Sequence, residues 1–115
     1  MAYINPFIKV NAGGIPRLSA INIPTVEADN SLTYDFHFHR FLNYPYAGLL
    51  IFKLPAVTAA STAGDVYFTS GGENRIQVFN YAGEAVASTN AGLTKGGVFI
   101  GWYSNGQLLI LNGLT

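Results

Sequence analysis

GVFIGWYSNGQLLIL, Gly97–Leu111, carries the strongest local signal in this chain. Two apolar runs, GVFIGWYS and QLLIL, flank the pair Asn105-Gly106. A type I′ turn needs positive φ at both central residues, which Asn and Gly tolerate best, and its twist matches that of a hairpin. A β-hairpin is therefore expected over Gly97–Leu111. Similar signals recur upstream. LTYDFHFHRF (Leu32–Phe41) alternates apolar and polar residues, and GLLIFKL (Gly48–Leu54) is a continuous apolar run of the kind a doubly buried strand shows. DVYFT (Asp65–Thr69), RIQVFNY (Arg75–Tyr81) and EAVAS (Glu84–Ser88) follow, with reversals expected at Ser70–Asn74 and Tyr81–Glu84. No segment holds an apolar period of 3.6 residues, so helix is not expected.

At 115 residues the chain matches one domain, which can bury roughly two-thirds of its unfolded surface without disulfides or a metal. The expected fold is all-β: an antiparallel sandwich or jelly-roll-like barrel of roughly seven to nine strands. Residues 32–115 would form the sandwich. Residues 1–31 would supply an extended N-terminal arm and edge segments, because Pro6, Pro16, Pro24 and Gly13-Gly14 allow only short extended pieces. The arm, Met1 to Pro24, carries five isoleucines with Tyr3, Phe7, Val10 and Leu18, so it is expected to contact something outside its own subunit.

Charge is sparse: 10% of residues are charged, against about 25% in an ordinary soluble domain, and the net charge is zero. Sparse charge marks the centres of protein interfaces, so a surface covered by other subunits, as in a homo-oligomer, is expected. Six scattered cations cannot neutralise a run of phosphates, and nucleic acid is not expected as a partner. A membrane is not expected either. The most apolar run, Ala47–Val57, is broken by Lys53 and Pro55 and is shorter than the ~20 residues a spanning helix needs. No signal peptide is recognisable at the N-terminus, so the chain is expected to be soluble when made.

Asp35–Arg40, DFHFHR, contains both histidines. On a strand Asp35, His37 and His39 would share one face, and Tyr34, Phe36 and Phe38 the other, core-facing one. Paired imidazoles at i and i+2 can chelate a metal, as in cupins. That pattern also needs a glutamate a few residues on and a third histidine, and neither is present. The row is read as a polar strand face, with no metal and no cofactor. Catalytic readings find no support: there is no Gly-x-Ser-x-Gly elbow, and no phosphate loop follows any Gly-Gly pair. Glu27, Asp29, Asp35, Asp65, Glu73 and Glu84 sit beside turns or on polar strand faces. Glu27-Ala-Asp29-Asn-Ser31 has calcium-like ligand types but not the loop length, and is read as a turn. No catalytic residue is assigned, and the chain is not expected to be an enzyme.

Phe41, Tyr44, Tyr46, Trp102 and Tyr103 could form a sugar-stacking platform. Tyr44-Pro45-Tyr46, in a loop between strong strands, is the best contact loop. The arm MAYINPFIKVNAGGIPRLSAINIP, the strand-loop-strand YDFHFHRFLNYPYAGLLIFKLP and the tail EAVASTNAGLTKGGVFIGWYSNGQLLILNGL together resemble the small all-β structural proteins of tailed-bacteriophage virions. The auxiliary or decoration proteins of phage heads are the nearest in texture. The resemblance implies a non-enzymatic protein of the virion, assembled in the bacterial host cytoplasm, that binds capsid or neck subunits and forms a homo-oligomer. Tyr3, Phe7, Ile8, Ile15, Tyr44 and Tyr46 are the expected interface residues. A carbohydrate-binding β-sandwich module is the alternative, and a metal-dependent cupin-like enzyme ranks third.

Overall fold

The structure, a computed structural model, describes residues 8–10, 14–43 and 45–115. Its strands are β1 (Ile8–Val10), β2 (Pro16–Ser19), β3 (Leu32–Phe36), β4 (Gly48–Leu54), β5 (Val66–Ser70), β6 (Glu73–Asn80), β7 (Gly97–Ser104) and β8 (Gln107–Ile110). One helical turn, α1 (Ala91–Thr94), precedes β7 and is capped by the Asn90 side chain, which accepts the amide of Leu93. The strands run β1-β2-β4-β7-β8-β6-β5-β3 across one sheet, which curls into a nearly closed barrel. The fold is all-β, as expected.

The hairpin forms where the sequence places it. Ser104 pairs with Gln107 across the turn, and Asn105 and Gly106 take φ of 52° and 76°. The β5–β6 reversal uses Gly71 and Gly72, also at positive φ. Along each strand alternate side chains point inward. Leu50 and Phe52 from β4, Tyr34 and Phe36 from β3, Phe68 from β5 and Leu108 and Ile110 from β8 fill the interior. Phe36, Phe52 and Phe68 pack with ring centroids 5.0–5.6 Å apart. Gly101 makes room for them: a Cβ there would lie 2.9 Å from the Phe52 ring and 3.0 Å from Leu108.

Several expectations are corrected. The ladders are mixed where antiparallel pairing was expected, since β2/β4, β3/β5 and β6/β8 run parallel. Each of those pairs is joined by a crossover through an intervening strand, the connection parallel neighbours require. Pro16–Ser19, within the stretch expected as arm and edge segments, form a strand of the barrel wall, paired on both sides by β1 and β4. Pro16 tolerates this because it opens β2, and Leu18 is buried in the core. Residues 1–7 and 11–13 of the arm lie outside the described residues. Past Ser19 the chain crosses from β4 to β3: the Ala20 amide donates to Lys53 O at 3.0 Å, and the Ile21 amide to Asp35 O at 2.8 Å.

β3 ends at Phe36, short of the Phe41 expected. Its partner β5 turns away at Gly71, whose amide donates to Phe36 O, so no ladder exists beyond. Alternation therefore fails in DFHFHR: Phe38 is 66% exposed and His39 is buried, the reverse of the expected faces. GLLIFKL is not doubly buried. Leu50, Phe52 and Leu54 face the core, while Leu49, Ile51 and Lys53 face outward, where none of the described residues forms a second layer over them. EAVAS makes only isolated bridges, Phe79 to Ala85 and Asp65 to Ala87.

Candidate docking wall

His37 and His39 do not form a pair of equivalent ligands. His39 caps the loop that follows β3: its Nδ1 accepts the amides of Phe41 at 3.0 Å and Leu42 at 3.3 Å. The ring proton therefore sits on Nε2. Ser70 clamps the same residue, accepting the His39 amide at 3.1 Å and donating to its carbonyl at 3.2 Å. Burial pushes the His39 pKa down to about 4, because the charged form would lose its hydration. His37 is half-buried just past the end of β3. Asp35 is engaged by Thr69, whose hydroxyl donates to it at 2.6 Å. Among the described residues no three His, Asp or Glu side chains come together as a metal site.

The acidic residues are mostly tied into the outer wall over β3, β5 and β6. Thr33 donates to Glu27 at 2.6 Å, and Ser31 to Asp29 at 2.6 Å. These bonds from Ser31 hold the Asp29 carboxyl below its ordinary pKa, and they make Asp29 a turn residue. Arg75 donates to Ser31, lies 3.8 Å from Glu27 and stacks over the Tyr67 ring at 3.7 Å. This is a polar wall whose groups satisfy one another.

The aromatic residues proposed as a platform do not share a surface. Phe41 and Tyr103 are buried, Trp102 points outward, and Tyr44 lies outside the described residues. Tyr46 packs edge-on against Phe41 at 5.1 Å and donates to Leu49 O. Of the other interface candidates, Tyr3 and Phe7 lie outside the described residues. Ile8 falls in β1, and Ile15 is half-buried just before β2.

The opposite wall, over β4, β7, β8 and the end of β6, is apolar. Across β4 and β7, Leu49 stands beside Trp102, Ile51 beside Ile100 and Lys53 beside Val98. Leu109 stands beside Trp102 on β8 and beside Phe79 on β6. Leu111 continues the surface, its amide donating to Ile100 O. Val98 is 60% exposed, and Leu49, Ile100, Trp102 and Leu111 are each about 40% exposed. Strands about 4.8 Å apart give this block an area on the order of 400 Å², the size of the largest apolar patches on monomers and commonly a contact site. Arg17 and Lys53 sit together on its β2/β4 margin, and no acidic side chain lies within it among the described residues.

None of these outward residues except Trp102 was singled out from sequence. The available signal was apolar character on both faces of GLLIFKL and GVFIGWYS. No helix among the described residues is long and apolar enough to cross a membrane. No protein-family model, curated protein or solved structure matches the chain.

Proposed function

We propose that this chain is a non-enzymatic structural protein of a tailed-bacteriophage virion, an auxiliary or decoration-type subunit held among capsid or neck proteins. The observation that carries the docking role is the contrast between the two walls. The β3/β5/β6 wall satisfies its polar groups by hydrogen bonds within the chain. The β4/β7/β8 wall leaves large apolar side chains in water. Covering that surface with protein removes apolar area from water at about 25 cal/mol per Å², and its side-chain polar groups are few: the Trp102 indole N–H and, at the margin, the Lys53 ammonium. The virion assignment rests on the resemblance in texture of the arm, the strand-loop-strand and the tail.

The wall is a poor sugar platform. Trp102 is flanked by Leu49 and Leu109, and a sugar ring stacked there would lack the polar neighbours that orient a ligand.

The test is mass spectrometry of purified particles produced from the genome that encodes the chain. The chain should be present in fixed ratio to the shell subunits. Its absence from particles with complete shell and neck would overturn the proposal.

A further inference from the structure

We infer that the apolar wall is covered by a second copy of the same wall, packed face to face about a two-fold axis that runs along the strands between β7 and β8. The inference rests on the reading of this wall as a docking surface and names its occupant. Cross-strand register lines up one row in the order Leu49, Trp102, Leu109, Phe79. Leucine and aromatic side chains alternate in it, and the row has an even number of members. Turning such a row over about an axis through its middle sets every aromatic ring against a leucine. Trp102 of one copy meets Leu109 of the other, and Leu49 meets Phe79. The row is self-complementary, as an isologous interface requires.

Charge favours the same arrangement. Arg17 and Lys53 lie on one margin only, and this axis carries that margin toward the β6 side of the second copy. An axis across the strands would bring the β2/β4 margin, with both cations, against the same margin of the second copy. Net charge is zero, so no long-range repulsion opposes self-association. The apolar block offers on the order of 400 Å² per partner, about half of a standard interface, so the pairing is a weak one; homodimer interfaces are the more apolar kind.

Trp102 is the single tryptophan, so its emission reports on this wall alone. Sedimentation equilibrium of the full chain should show a dimer whose dissociation on dilution shifts Trp102 emission to the red. Ile100→Glu should weaken dimerisation by ~30-fold or more while far-UV circular dichroism stays unchanged. Register is tested by two further variants. Trp102→Glu and Leu109→Lys should each be monomeric, and an equimolar mixture should recover a dimer, because the new charges then face each other across the axis.

A chain that stays monomeric at high concentration overturns the inference. So does a dimer that survives Ile100→Glu with its fold intact, or a mixture of the two charged variants that stays monomeric. A monomer that still enters particles would leave the proposed function standing and remove only the self-pairing. A dimer absent from particles would do the reverse.

Discussion

The side chain of Asn22 stands in for a strand backbone beside Asp35. Its Oδ1 accepts the Asp35 amide at 2.8 Å, and its Nδ2 donates to Thr33 O at 3.1 Å. One carboxamide thus occupies an acceptor and a donor position on the free edge of β3, beside the Ile21 amide that donates to Asp35 O. Asn22→Ala leaves both backbone groups to solvent or unpaired and should cost about 1–3 kcal/mol. Asn22→Asp keeps the acceptor but sets a carboxylate oxygen against Thr33 O, and should cost at least as much. Urea denaturation of the two variants checks both values. No loss in either would mean that the seam is not closed by this residue.

His39 should make stability depend on pH in one direction. Its folded pKa is about 4, below the ~6.5 of an exposed imidazole, so between these values the unfolded chain binds the extra proton. The contribution of His39 is complete above about pH 6.5 and is lost as pH falls toward 4. It amounts to something on the order of 2 kcal/mol. His39→Asn keeps an acceptor near the Phe41 and Leu42 amides but cannot titrate. Its unfolding free energy should fall less steeply over that window than that of the parent. Parallel curves for the two proteins would rule out a buried, neutral His39.

Gly106 occupies a left-handed position at φ 76°. A β-branched side chain is strained there, and Gly106→Val should destabilise by roughly 1 kcal/mol or more. An unchanged melting temperature would contradict the type I′ turn.

Ser88 is fully buried and joins three loops. Its hydroxyl donates to Asn30 O at 2.6 Å and accepts the Gly64 amide at 2.9 Å. Ser88→Ala removes the partner of the half-buried Gly64 amide and Asn30 carbonyl and should cost about 1–2 kcal/mol. Thermal denaturation measures it, and a loss within error would show that these loops are held by other contacts.

Local chemistry was readable in advance, and long-range geometry was not. Asn105-Gly106 specifies its turn with two residues, so the β7–β8 hairpin could be placed from sequence. The end of β3 is different. Phe36 is its last residue because β5 turns at Gly71-Gly72, thirty-five positions later, and nothing in DFHFHR announces that. For the same reason His39 passed for a polar-face residue when it is a buried cap. The inclusion of Pro16–Ser19 in the sheet depends on which strands the barrel leaves unpaired, a property of the closed structure. In GLLIFKL the apolar character was plain. That one face of it would meet no second layer could be seen only once the barrel was formed.

If protein in the particle covers the β4/β7/β8 wall and not the polar wall, a charge should be tolerated on the second and not on the first. Ile100→Lys places a charge on the first wall, and Gln77→Lys places the same charge on the second. The copy number of each variant in purified particles, relative to the unmodified chain, is the direct measurement. Ile100→Lys should be depleted several-fold while Gln77→Lys is retained, with both variants folded in isolation. Equal incorporation of the two, or selective loss of Gln77→Lys, would contradict it.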